Sequence, residues 1–184
     1  ERLKRAKLIK KSGSIVEAIE KGAINQFLDI TLSEALVLGL LRQKVTKYIG
    51  IFGHGTTDLG EVLRVYEEAG LVKTYNVRNE VEASHIATAI KWQYLETAAV
   101  FTSIGPGALQ ALAGSLAPLS NGVGFYYLFG DETTHNEGPN MQQIPGCEQE
   151  SFLKLTSAMS KSYTIHTPEA VVSALKQGLV ATNN

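Results

Sequence analysis

From Thr31 onward, short apolar runs of strand length alternate with longer stretches of helical character, joined by turns rich in glycine and polar residues. A parallel sheet covered on both faces accommodates that order, because each strand returns to the same end of the sheet through a crossover helix. Thr31 and Ser33 are N-cap candidates for a first helix through Leu36, Leu40 and Leu41. The pattern then predicts strands over 48–52, 72–77, 98–101 and 123–129 and helices over 59–69, 80–92 and from about 108. Each strand is short enough to be buried in a parallel sheet, and the last two show no polar alternation. After Gly130 comes a long loop, then a short helix over 152–155 and a strand over 162–165. Thr167-Pro168-Glu169, a cap, first-turn proline and acid together, opens a final helix. The fold class is therefore α/β, with helices on both faces of a parallel sheet.

Residues 1–30 precede this alternation and read as a helical arm on a 31–184 domain. Ile15, Val16, Ile19, Ile24, Phe27 and Leu28 supply an apolar face, broken near Gly13 and Gly22, and the basic cluster of the first eleven residues is expected on a solvated helix face.

Charge and cysteine content narrow the function classes. Seventeen basic and eighteen acidic side chains leave a formal charge of -1, so no global field favours nucleic acid or an anionic membrane surface. No apolar run approaches the roughly 18 residues that a membrane span requires. The single cysteine, Cys147, excludes an internal disulfide framework and a multi-cysteine metal site, and a cytoplasmic location is expected.

Parallel sheets of this kind bind ligands beyond the carboxyl ends of their strands, and three motifs fall there. Gly53-His54-Gly55-Thr56-Thr57-Asp58 follows the first strand, but Asp58 stands where a dinucleotide fingerprint needs its third glycine and would repel phosphate. Arg78-Asn79-Glu80 opens a helix, placing Glu80 in a first turn where an acid by itself is explained as a capping carboxylate. Thr102-Ser103-Ile104-Gly105-Pro106-Gly107-Ala108 ends a strand and starts a helix rich in small residues, a turn whose backbone can approach a flat ligand closely. His85, five residues after Glu80, points away from it on a helix. Asp131, Glu132 and His135 lack the spacing of a metal site, and no metal ligand is expected in this chain.

In this order and spacing, the three segments resemble the pyrimidine-binding domain of thiamine-diphosphate-dependent enzymes of the acetolactate synthase type. The matching stretches are Ile51 to Gly55, Arg78 to Ala87 and Thr102 to Ala108. The Phe52-Gly53-His54-Gly55 form is also similar to the cyclohexanedione hydrolases of inositol breakdown, members of the same superfamily. The resemblance implies the thiamine-diphosphate-binding fold, with Glu80 as the carboxylate that hydrogen-bonds N1′ of the aminopyrimidine and activates the cofactor for attack on a 2-keto acid or diketone. A carboxyl group in an apolar cleft can share a proton with a ring nitrogen at neutral pH. It further places Gly53, His54, Gly105, Pro106 and Gly107 at the cofactor, and His54 and Gln149 toward the substrate.

Enzymes of this type also hold the diphosphate and a magnesium ion with a Gly-Asp-Gly motif and a downstream Asn-Asn. Gly130-Asp131-Glu132 and Asn183-Asn184 echo that pattern only superficially, since Glu132 replaces a glycine and the two parts lie far apart. The resemblance therefore implies a homo-oligomer with an intermolecular active site, completed by a diphosphate-binding domain or subunit. A split enzyme and a portion of a longer synthase both satisfy it, and so do acetolactate formation and cyclic diketone hydrolysis. A non-catalytic α/β binding module is the contrasting class.

Overall fold

The computed structural model describes residues 1–131, 149–158 and 161–183. Its elements run α1 (Arg2–Ser12), α2 (Ile15–Glu20), α3 (Leu32–Arg42), β1 (Lys47–Gly50), α4 (Thr57–Glu68), β2 (Lys73–Asn76), α5 (Glu80–Tyr94), β3 (Ala99–Thr102), α6 (Pro106–Ala113), α7 (Leu116–Ser120), β4 (Tyr126–Phe129), α8 (Gln149–Ser157) and α9 (Ala170–Asn183). Among the described residues the strands form one sheet, ordered β2-β1-β3-β4, in which every neighbouring pair is parallel. The chain moves outward from β1 to β2 in one direction and from β3 to β4 in the other. The connections diverge between β1 and β3, the position at which open α/β sheets leave a crevice.

The two-residue period of the strands divides the core. Tyr48, Ala99 and Phe101, with Tyr126 and Leu128, face α1, α3 and α4, and Leu175 of α9 joins this layer. Ile49 and Val100, with Tyr127 and Phe129, face Ala83 and Ala87 of α5 and Ala111 of α6. Fully burying one large apolar side chain contributes roughly 1.5–3 kcal/mol, so these two layers are what hold the sheet between its helices.

The second layer is thin because its helices approach closely. A Cβ on Gly114 would lie 2.7 Å from the Ser84 Cβ and 3.0 Å from the Val81 carbonyl oxygen. The Ser84 hydroxyl donates to the Ala111 carbonyl at 2.7 Å and accepts from the Tyr127 hydroxyl at 3.1 Å, tying α5 to α6 and β4. Within the sheet, Gly50 pairs with Phe101, and a Cβ there would stand 1.8 Å from the Phe101 carbonyl oxygen.

Four expectations change. β2 is an edge strand with three of its four residues exposed, rather than a buried one. Residues 161–166 form no strand. Together with β4 they line a cavity of about 900 Å³. The helix expected from about 108 begins at Pro106 and breaks at Gly114, dividing the small-residue stretch into α6 and α7.

The basic cluster of α1 is also not wholly solvated. Ala6 and Ile9 are buried in the first core layer, while Arg2 Nε and Arg5 Nε donate to the two carboxylate oxygens of Glu34 at 3.1 and 2.9 Å. Glu34 is only 2% exposed and also accepts from the Tyr66 hydroxyl at 3.0 Å. Those arginines neutralise a buried acid, which is why they turn inward.

Candidate functional site

Beyond the carboxyl ends of β1 and β3, two turns interlock. The Thr56 hydroxyl donates to the Gly53 carbonyl at 3.0 Å and accepts from the Gly53 N–H at 3.2 Å, closing the turn before α4. The Ile104 N–H donates to the His54 carbonyl at 3.2 Å, joining this turn to the one after β3. Phe52 stacks on Phe101 with ring centroids 4.2 Å apart, and His54 lies exposed above it in the chain.

On the β2 side, the capping work is done by others than Glu80. The Asn79 side chain accepts from the Glu82 N–H at 2.9 Å, and the Glu82 carboxylate accepts from the Arg78 N–H at 3.1 Å. This reciprocal arrangement satisfies the start of α5. Glu80 is instead buried, 9% exposed, and among the described residues no hydrogen bond or ion pair engages its carboxylate. The explanation of Glu80 as a capping acid is thereby set aside.

After β3, Gly105 takes φ 42° and ψ −98°, a conformation that disfavours any residue with a Cβ, and Pro106 follows at the first helical position of α6. The turn brings Gly107 against two polar groups. A Cβ on Gly107 would lie 2.6 Å from the Ser103 Oγ and 3.1 Å from the Glu80 Oε1, and a Cβ on Gly53 would lie 2.7 Å from the Ser103 Cβ. Gly53, Ser103, Gly107 and Glu80 thus converge at the crevice between the diverging connections.

Gly105 and Pro106 belong to the same turn, whereas His54 joins the cluster through its backbone. Gln149 begins α8, and its side chain lies outside the described residues, as do Glu132, His135 and Cys147. His85 is exposed on α5, as its spacing from Glu80 implies. The 900 Å³ cavity along β4 includes Gly55, Thr56 and Gly130 but neither Glu80 nor Gly107, so the buried acid does not line it. Ser103 is the residue to which sequence reasoning assigned no role, although its place at the end of β3, between the two glycine turns, was visible. Among the described residues, no group of three or more His, Cys, Asp or Glu could hold a metal ion, and no helix is long and apolar enough to cross a membrane.

Residues 30–152 match the family described as thiamine pyrophosphate enzyme, N-terminal TPP binding domain. The chain belongs to this family. Its relatives include proteins named 3D-(3,5/4)-trihydroxycyclohexane-1,2-dione hydrolase. The protein of Clostridium perfringens is 34% identical over 135 residues, which are 68% of this chain and 20% of that protein. The Bacillus velezensis protein is 32% identical over 142 residues, 70% of this chain and 22% of its own length. The Bacillus subtilis protein is 34% identical over 111 residues, 58% and 17% respectively. The chain spans about a fifth of the length of the curated relatives it matches.

Proposed function

We propose that this chain supplies the pyrimidine half of a thiamine-diphosphate site in an enzyme that breaks or forms a carbon-carbon bond beside a carbonyl. The observation that carries the reading is Glu80, a buried carboxylate that no hydrogen bond or ion pair engages among the described residues and that faces an α-carbon with no side chain. Both features suit a flat nitrogen heterocycle. The glycine lets it approach backbone, and the carboxyl group meets a ring nitrogen with a shared proton.

In this reading Glu80 holds the proton between its Oε and N1′ of the aminopyrimidine, while Gly105, Pro106 and Gly107 form the wall beside the ring. Gly53 closes the crevice from β1. When bound, the cofactor supplies the electron sink that such bond cleavage requires. His54, exposed at the β1 turn, and Gln149 are assigned to the substrate side. The diphosphate and its magnesium ion are assigned to a second domain or subunit, and the family resemblance favours a homo-oligomer with an intermolecular site.

For the substrate, a cyclic 1,2-dione is favoured over a pair of 2-keto acids, because the relatives are named as cyclohexane-1,2-dione hydrolases and because the Phe52-Gly53-His54-Gly55 turn resembles theirs. Hydrolase chemistry then takes precedence over the lyase or transferase chemistry of acetolactate formation. The test is native mass spectrometry of the protein from its source, to identify the diphosphate-binding portion, followed by turnover of the assembled enzyme on a cyclic 1,2-dione and on pyruvate. Dione hydrolysis lowered by roughly 10²–10⁴ in Glu80→Gln is expected. Release of acetolactate from pyruvate would reverse the substrate assignment, and full turnover by the Glu80→Gln enzyme would overturn the role of Glu80.

A further inference from the structure

We infer that the Ser103 hydroxyl is a second hydrogen-bonding group of this site, directed at the same ring that Glu80 addresses, an inference that rests on the pyrimidine reading above. Ser103 follows β3 directly at the crevice and is half-buried. Its neighbour Thr102 satisfies its own hydroxyl by donating to the Ser103 carbonyl at 2.8 Å, whereas the Ser103 hydroxyl makes no hydrogen bond among the described residues. Such a group has one donor and two acceptor sites, and leaving them unmet as water is excluded is costly.

Two glycines hold the side chain in place. Any Cβ on Gly53 would come within 2.7 Å of its Cβ, and any Cβ on Gly107 within 2.6 Å of its Oγ. Ser103 is therefore clamped between two turns with an uncommitted hydroxyl, beside the Glu80 carboxylate that borders the same Gly107 position at 3.1 Å. A hydroxyl held in this way can accept from an exocyclic amine or donate to a ring nitrogen, and its fixed position means that little side-chain entropy is lost when a ligand binds.

The experiment compares equilibrium binding of thiamine diphosphate, and of analogues in which one pyrimidine nitrogen or the amino group is replaced by carbon, to the complete enzyme and its Ser103→Ala variant. Removing one hydroxyl adds no atom, so the fold is retained, and a thermal melt checks it. The expected result is binding weakened about three- to tenfold for thiamine diphosphate, with wild type and variant equal for the one analogue that lacks the contacted atom. Unchanged affinity, or the same loss for every analogue, would overturn the assignment, since a merely structural role has no preference among ring atoms. Glu80→Gln run in parallel separates the two readings. Turnover retained there removes the pyrimidine site itself, whereas turnover lost there with Ser103→Ala indistinguishable from wild type removes only the Ser103 contact.

Discussion

The Glu80 Oε1 lies 3.1 Å from the point where a Cβ on residue 107 would stand, so a carboxylate at the start of α5 and a bare α-carbon at the start of α6 share one gap. A methyl group on residue 107 would stand in that gap, where the pyrimidine reading places the ring.

Gly107→Ala is expected to separate binding from folding. The nearest atoms to the new methyl are the Ser103 Oγ at 2.6 Å and the Glu80 Oε1 at 3.1 Å, so overpacking costs within the usual range, about 1–3 kcal/mol. Thiamine diphosphate affinity of the assembled enzyme, measured by titration, should fall at least about tenfold, which corresponds to roughly 1.4 kcal/mol. A variant that binds normally would show that the ring does not pass over Gly107.

Glu80→Gln should lower turnover by roughly 10²–10⁴, the usual contribution of a positioned proton-transfer group. Its melting temperature should be no lower than that of the wild type, because no described hydrogen bond or ion pair is lost and a buried charge is removed. A large drop in melting temperature would instead mark the acid as structural.

Glu34→Ala leaves the inward-turned Arg2 and Arg5 without their carboxylate and the Tyr66 hydroxyl without its acceptor. Breaking a buried pair from one side costs about 3 kcal/mol or more, and both arginines are partly exposed, so the lower figure applies. Urea unfolding should show the loss. Limited proteolysis should cut within α1 first, since Arg2 and Arg5 anchor that helix to α3.

Tyr48→Phe should cost nothing at neutral pH, because the Tyr48 hydroxyl is buried with no partner among the described residues. Burial pushes the Tyr48 phenol well above its ordinary value, and burial followed by the charge of Glu34 does the same for Tyr66. Both groups therefore favour the neutral phenol in the folded state. Their contribution is complete below the unfolded value of about pH 10 and is lost as pH rises beyond it. Melting temperature should fall steeply above about pH 10, less steeply in Tyr48→Phe, and an unchanged alkaline slope would contradict the burial of that ring.

The sheet was largely legible because its strands are nearly continuous apolar runs punctuated by glycine. Ile49-Gly50 and Val100-Phe101 could hardly be read otherwise. The turns at Gly53 and Gly105 were visible for the same reason, since a strand followed by closely spaced glycines before a helix has few conformations. Pairing decided the rest. The segment around Tyr163 has strand-like alternation but gains no partner edge, and the strand expected over 72–77 sits at the sheet margin with Lys73, Tyr75 and Asn76 exposed. The inward turn of Arg2 and Arg5 depends on an acid some thirty positions away on α3, and Ser103 acquires interest only when Gly53 and Gly107 close around it. Neither is a property of local spacing.

Glu80 follows β2 and Gly107 follows β3, and these two strands never touch, because β1 lies between them. Their separation is set by how closely β1 can approach β3 at Gly50, where one hydrogen faces the Phe101 carbonyl oxygen. Gly50 thus acts as a ruler. A methyl group there would pry the sheet open along its middle and carry the acid away from its glycine.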